Sequence, residues 1–390
     1  DDIGANGDQG SAYVFTRSNG VWAQQAKLSA NNGQTQHYFG HSVAIDGDTI
    51  AINAHQANST YIFNREGIFW SQQQQLIQNG STYNAGNFTS SISISGNIMA
   101  VGMHVFRVGS SNYDVGAVAV FTRSGSSWSE QTRLFASDQS INTNFGNSVS
   151  LSGNTLAVGA YNKDEPGQGN QGAVYIFTTD GASWSQQAKL LASDGLADDR
   201  FGSSISLLGD TLLVGAPGDD FPQIIGSLSN QGSAYVFKRS GSSWSQYAKF
   251  SDNSGSAGDA FGSAVILAGD TMLATSPLDD VSATDQGSLI SQNINLASAS
   301  TVIYVGQIVV PVPVIQGVSS DTGIQNNDGV TNDQTLVFSG TSINGYLITL
   351  RLDGTIIGTT TVNSQGNWSF DYSATSPQTT SPPPTRAPSS

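Results

Sequence analysis

The sequence predicts an all-β protein: a β-propeller of four-stranded blades, five or six units in number, with a partial Ig-like β-sandwich behind it. Two observations carry the propeller. Phe-Gly recurs at Phe39-Gly40, Phe145-Gly146, Phe201-Gly202 and Phe261-Gly262, with a worn copy at Phe88-Thr89. Tryptophans follow in step at Trp22, Trp70, Trp128, Trp184 and Trp244, about 48–60 residues apart, at the upper end of the periods that mark propellers, solenoids and arrays. A third observation carries the sandwich: from residue 314 to 375 the chain reads as short alternating strands separated by turn signals.

Each repeat reads as four strands. In the copy beginning at Phe145, Ser148–Ser152 alternates polar and apolar residues, as a half-buried strand does. Gly153-Asn154 supplies a two-residue hairpin turn, for which positive φ angles are suited. Leu156–Ala160 is continuously apolar, the mark of a strand buried on both faces. Ala173–Phe177 is the third strand, and Asp180-Gly181 leads into the fourth, Trp184–Leu191. That last strand carries Gln186, Gln187 and Lys189 and reads as an exposed outer edge. The recurring Phe is expected to fill space between blades, and the Gly beside it to permit close backbone approach. Repeating four-stranded sheets radially protects their edges.

The two ends of the array leave the count open. DDIGANGDQGSAYVF matches the second half of a repeat, and Leu278–Ile290 starts the same half before the pattern fades. Strands around Ala12–Phe15 and Trp22–Leu28 can complete the blade begun at Phe261, closing a ring of five. Alternatively the last unit keeps its own outer strands near Ile290–Leu296 and Val302–Val305, giving six units or an incomplete ring. We expect the propeller over residues 1–300, a Pro-containing linker over 301–313, the Ig-like domain over 314–375 and a Pro/Ser/Thr-rich tail over 376–390.

Composition excludes several function classes. The chain has 390 residues, no cysteine and a net charge of −15, so neither disulfides nor thiolate chemistry is available. The acidic balance argues against nucleic acid, since phosphate neutralisation needs clustered Lys and Arg. The apolar stretch Thr301–Val318 is interrupted by Gln307, Pro311, Pro313 and Gln316, and reads as strand and linker rather than a membrane span.

The ordered pattern FGxSVxLxGxTLAVGA…GxVYIF…W resembles the bacterial branch of the FG-GAP repeat family, related to the integrin α-chain propeller, over roughly residues 1–285. The resemblance implies a secreted or surface-exposed protein associated with adhesion or recognition. It does not extend to the family's calcium loops, because those loops are shortened here to IDGDT, LSGNT, LLGDT and LAGDT. Residues 312–375 resemble the Ig-like modules of large bacterial surface adhesins, through their SSDTG…DGVTND opening and GNWSF ending. That likeness implies calcium at Asp321, Asp328 and Asp333, hard oxygen ligands that also read as solvated loop residues. After the WSF strand such modules have one more strand; here the chain turns to SATSPQTTSPPPTRAPSS, which has no β-pattern.

No catalytic constellation is legible. The four histidines, His37, His41, His55 and His104, lie in roughly the first quarter of the chain, and His37 and His41 flank a Phe-Gly loop rather than lying on one helix face. The acid pairs Asp1-Asp2, Asp219-Asp220 and Asp279-Asp280 recur at one repeat position, as structural or weakly cation-binding loops do, whereas a glycosidase pair occurs once. Tyr161 and Phe221 lie on turns suited to stacking on a sugar. Asn58, Asn79, Asn87 and Asn367 stand in N-x-S/T sequons, and Thr379 and Thr380 in a mucin-like context. Two functions follow, both extracellular and non-enzymatic, with no cofactor beyond calcium. One is a fibre subunit that self-associates by strand complementation; the other is a surface adhesin whose propeller binds a glycan or protein.

Overall fold

A computed structural model describes residues 1–4, 6–77, 90–107, 114–220, 230–252, 256–269, 271–278, 288–293, 314–318, 337–341, 347–352, 355–361, 363, 365 and 367–371. The chain divides into two compact units, Asp1–Gln307 and Ile308–Ser390.

The first unit is a series of antiparallel sheets in which each strand pairs with its neighbour in the chain. Ala12–Ser18 (β1) and Val21–Leu28 (β2) form a two-stranded sheet. Four complete blades follow. They are Phe39–Asp46, Thr49–Ala54, Ser59–Glu66 and Phe69–Ile77 (β3, β4, β5, β6), then Ser91–Ser95, Ile98–Met103, Ala117–Ser124 and Ser127–Leu134 (β7, β8, β9, β10). The third is Ser148–Ser152, Thr155–Ala160, Ala173–Thr179 and Trp184–Leu190 (β11, β12, β13, β14), and the fourth Ser204–Leu208, Thr211–Ala216, Ser233–Ser240 and Ser243–Phe250 (β15, β16, β17, β18). A three-stranded sheet, Val265–Ala268, Thr271–Ser276 and Ser288–Asn293 (β19, β20, β21), completes the unit.

Local sequence explains these elements. Every residue of β12 is buried, because sheets cover both of its faces. The β11–β12 register runs from Ser148↔Gly159 to Ser152↔Thr155, leaving Gly153 and Asn154 as the turn. Of that pair only Gly153 takes a positive φ (55°), as a turn with glycine at its first central position requires.

The apolar cores lie between sheets. One cluster joins Ala100, Val118 and Val120 of the second blade to Phe145, Leu151, Val158 and Tyr175 of the third. The next joins Val174, Ile176 and Leu190 of the third to Phe201, Leu207 and Tyr235 of the fourth. Each recurring Phe therefore sits between blades, as its spacing predicts. It meets two aromatics of its own third strand edge-on: Phe145 with Tyr175 and Phe177, Phe201 with Tyr235 and Phe237.

Two expectations are corrected. The N-terminal strands do not complete the Phe261 sheet. β21 pairs with β20 from Ser276↔Ser288 to Thr271↔Asn293, so the strand nearest in the chain takes that edge. β1 and β2 stand instead in front of the first complete blade: the Phe39 N–H donates to the Gln9 carbonyl at 2.9 Å, as Phe201 does to Gln171 at 2.9 Å and Phe261 to Gln231 at 2.8 Å. Nor is the fourth strand a plain solvent edge. A bulge lifts Gln187 out of register between the pairs Ile176↔Ala188 and Phe177↔Gln186. Its side chain then accepts the indole N–H of Trp244 in the next blade at 3.1 Å. Gln25 serves Trp70 (2.8 Å) and Gln131 serves Trp184 (3.1 Å) in the same way.

In the second unit Val314–Val318 (β22), Val337–Thr341 (β23) and Asn367–Asp371 (β26) form a sheet in the order β22-β23-β26. Leu347–Leu352 (β24) and Thr355–Thr361 (β25) make a hairpin that pairs Leu352 with Thr355, with Asp353 and Gly354 between them. Trp368 of the GNWSF segment is buried, and Thr360 donates to the Ser369 carbonyl at 2.7 Å. Among the described strands β26 is paired on one side only.

Candidate functional site

The candidate features are the blade-to-blade junction and the cleft beside β1. At each complete junction the first strand of one blade receives the first strand of the next. Ser93 and Ser95 accept the backbone N–H groups of Leu151 and Gly153, each at 3.0 Å. Ser150 and Ser152 accept those of Leu207 (2.9 Å) and Gly209 (3.0 Å), and Ser206 accepts that of Leu267 at 2.9 Å. One turn earlier, Ser91, Ser148 and Ser204 donate to the carbonyls of Gly146 (3.0 Å), Gly202 (2.8 Å) and Gly262 (2.7 Å). Those carbonyls lie over Gly102, Gly159 and Gly215, where an added Cβ would stand 1.9, 2.1 and 1.9 Å from the oxygen. The alternating serines of the first strand thus face a neighbouring sheet rather than water.

The β1–β2 pair is an outer half-blade whose inner strands have no counterpart in the described residues. Tyr13 and Phe15 occupy the repeat positions of Tyr175 and Phe177. They are 48% and 52% exposed where the latter are 0% and 3%, because no Phe of the Phe-Gly type lies against them. Across the gap, Val43 and Ile45 of β3 are 56% and 61% exposed, while their counterparts Val149 and Leu151 are 8% and 6%. Together these four residues line one cleft of about 440 Å³, along the unpaired edge of β1. An exposed apolar strand edge is a template for pairing with another chain.

Charged networks sit at the loop end of the blades. The Tyr235 hydroxyl donates to Asp194 at 3.1 Å, and Lys249 lies 2.7 Å from both Asp194 and Asp219. Burial works against the charge of Lys249, but the two carboxylates outweigh it and hold its pKa above the usual lysine value. The half-blade repeats the arrangement with Asp1, which accepts from Ser11 (2.7 Å), Tyr13 (3.1 Å) and Lys27 (2.7 Å). Nearby, burial pushes the Asp199 carboxyl up to about 6; the Leu196 N–H opposes this, and the charge of Asp219 adds to it.

A raised carboxyl pKa stabilises the fold below about pH 4, and that contribution is lost as the pH rises through about 6. Asp199→Asn keeps an acceptor for Leu196 and removes the buried charge. It is expected to stabilise the protein by about 1–2 kcal/mol at pH 7.5 and by nothing measurable at pH 4. Urea titrations of both proteins at the two pH values check this.

The sequence-predicted residues fall out as follows. Two of the acid pairs hold loops: Asp2 and Asp220, with Asp164 at the equivalent position of another blade, accept the N–H groups of Asp8 (2.8 Å), Asn230 (2.8 Å) and Asn170 (2.7 Å). His37 Nδ1 accepts the Gln34 N–H at 3.2 Å. His41 stacks on His55 at 4.3 Å, and burial together with these neighbours holds the pKa values of His41 and His104 below the usual histidine value. Among the described residues no group of three ligating side chains is placed to hold a metal. Tyr161 is half-buried just after β12. Asn58 lies at the end of the short 3-10 turn His55–Ala57, and Asn367 is exposed on β26. Asp321, Asp328 and Asp333, Phe221, Asn79, Asn87, Thr379, Thr380 and the Asp279-Asp280 pair lie outside the described residues. What sequence reading missed is that Tyr13, Phe15, Val43 and Ile45 face one cleft; its signal was that Tyr13 and Phe15 repeat the positions of Tyr175 and Phe177.

Four-stranded sheets joined in series through Phe-Gly junctions define a propeller-type repeat protein. The FG-GAP repeat family matches residues 22–63, 128–177, 184–237 and 244–289, and the bacterial Ig-like domain matches residues 309–379. The chain is thus an FG-GAP repeat protein carrying a bacterial Ig-like domain. Each full match begins at a Trp in one blade's outer strand and ends in the third strand of the next or close beyond it, so the sequence repeat is the junction rather than the sheet. No curated protein matches the chain. Both domain types are typical of extracellular or surface proteins and are typically non-catalytic. Among the described residues no helix is long and apolar enough to cross a membrane.

Proposed function

We propose that this protein is a non-enzymatic extracellular structural subunit, which assembles with further copies by completing β-sheets across chains. The observation that supports this reading is the blade junction, in which serines of one first strand receive the backbone of the next. It is a head-to-tail contact that one copy can offer to another through the exposed apolar faces of β1 and β3. Such heterologous contacts propagate into open filaments when their rotation does not close. Extracellular modules that act through surfaces need no acid–base constellation, and the acid pairs here are taken up by loop hydrogen bonds.

Sedimentation velocity and negative-stain microscopy across a range of concentrations test the reading. The expected result is concentration-dependent growth of linear oligomers. Phe15→Asp is expected to abolish it while leaving the melting transition of the single chain unchanged, because Phe15 is half exposed there. Discrete particles of one chain at every concentration would overturn the proposal.

A further inference from the structure

We infer that the junction between the first and second blades is an acid-sensitive hinge, closed while His41, His55 and His104 are neutral and loosened when they take up protons.

The three histidines come from separate parts of the chain and converge at one end of that junction. His41 follows Phe39-Gly40 near the start of β3, His55 follows β4 directly, and His104 follows β8 directly. His55 and His104 therefore hold one repeat position in adjacent blades, where the later sheets have Tyr161, Pro217 and Pro277. At the position of His41, the other Phe-Gly pairs are followed by Asn147, Ser203 and Ser263. The fold does not require histidine at any of the three places. His41 lies on His55 with ring centroids 4.3 Å apart and planes 14° apart. Neutral imidazoles tolerate such stacking, whereas two imidazolium ions at that distance repel each other. His104 Nδ1 is buried and has no hydrogen-bond partner among the described residues. A proton placed there would meet no acceptor.

Little nearby charge favours protonation. His41 feels the charge of His55, and His104 feels those of His55, Asp114 and His41. Asp114 is already engaged by Arg107 Nε at 2.6 Å. The Ser90 carbonyl favours the charged form of His41 but is outweighed. Residues 78–89 and 108–113, which precede Ser90 and follow Arg107 in the chain, contain no Asp, Glu, Lys, Arg or His. Burial first, and the charge of His55 second, hold the pKa values of His41 and His104 below the ordinary histidine value.

A base whose pKa the fold lowers binds fewer protons folded than unfolded. Its contribution to stability is complete above about pH 6.5 and is lost as the pH falls through and below that value. Asp199, at the entry to the fourth blade, has the opposite sign: its carboxyl, raised to about 6, adds stability as the pH falls. Acidification accordingly weakens the first junction while it favours the third.

The first junction is also the one with fewer fastenings. Ala44 stands at the repeat position of Ser93, Ser150 and Ser206, whose hydroxyls hold the next blade. Asn53 stands at the position of Gly102, Gly159 and Gly215, and its amide donates to the Ser91 carbonyl at 3.4 Å, against 2.7–3.0 Å for the serine-to-glycine bonds of the later junctions. A repulsion placed here meets less resistance than it would at any later junction.

Hydrogen–deuterium exchange of the full chain at pH 7.5 and 5.5, corrected for intrinsic exchange rates, tests this. Protection of the peptides that carry β3, β4, β7 and β8 is expected to fall on the order of tenfold more than that of the peptides carrying β15 and β16, a factor of ten being the equivalent of one pKa unit. His41→Gln combined with His104→Gln is expected to remove the excess loss, and His37→Gln, at a histidine outside the cluster, to leave it in place. A histidine NMR titration of the unaltered protein serves if the double variant does not fold. Two of its four rings are expected to titrate below the ordinary histidine value. Equal loss of protection at the two junctions, a double variant that keeps the excess loss, or four rings that all titrate at or above the ordinary value would each overturn the inference.

Discussion

Gly159→Ala is expected to cost on the order of 3 kcal/mol or more, at or above the top of the usual range for overpacking. Gly159 lies in an ordinary extended strand, with no left-handed φ to explain its identity. The reason is proximity: a Cβ there would stand 2.1 Å from the Gly202 carbonyl oxygen and 2.2 Å from the Ser148 hydroxyl oxygen. Neither can retreat cheaply. The Gly202 carbonyl accepts the Ser148 hydroxyl at 2.8 Å, and the Gly202 N–H is committed to the Gly215 carbonyl at 3.0 Å. The third and fourth blades must separate by an ångström or more, opening the core around Phe201. Gly153→Ala is the comparison. Nothing lies within 4 Å of a Cβ there, so its cost is the left-handed conformation alone, about 1–2 kcal/mol. Chemical denaturation of the two variants measures the difference. Equal losses would mean that blade contact does not dictate glycine at residue 159.

Phe201→Ala is expected to lose about 3–5 kcal/mol, as deletion of a fully buried aromatic does. Phe201 is 0% exposed, with ring centroids 5.4 Å from Tyr235 and 5.8 Å from Phe237 in edge-on contact. It also packs in a cluster drawn from two blades, so the cavity cannot be closed by one sheet relaxing. Phe15→Ala in the single chain supplies the internal contrast. It alters a residue of the same repeat class as Phe237, yet a half-exposed one, and is expected to cost under about 1 kcal/mol. A comparable loss for both would mean that Phe15 is already enclosed and that the half-blade cleft is not open.

Much of the fold was legible because its signals are local. The alternation in Ser148–Ser152, the apolar run of Leu156–Ala160 and the Gly153 turn are each set by neighbouring residues, and each appears as read. The position of the Phe between blades was legible as well, since an aromatic beside a glycine at a fixed period has little other use. That the loop acids accept backbone N–H groups follows from the same repetition. The partners of the polar side chains were not legible. Gln187 and the serines of the first strands read as solvent-facing, because a polar residue in an alternating pattern looks the same whether water or another sheet lies opposite. The stacking of His41 on His55 was not legible either, because it joins segments that no spacing rule relates.

By itself, then, the chain's order of residues determined that it is all-β, that it repeats, and that each repeat carries a Phe and a Gly for blade contact. These follow from side-chain period, turn chemistry and residue volume. Only the tertiary structure decided that β21 rather than β1 lies against β20, that serine and glutamine tie one blade to the next, and that Tyr13, Phe15, Val43 and Ile45 open onto a shared cleft. Strand pairing is a contest among distant segments with similar patterns, and its outcome depends on which edges are already taken, a quantity that no local window of sequence contains.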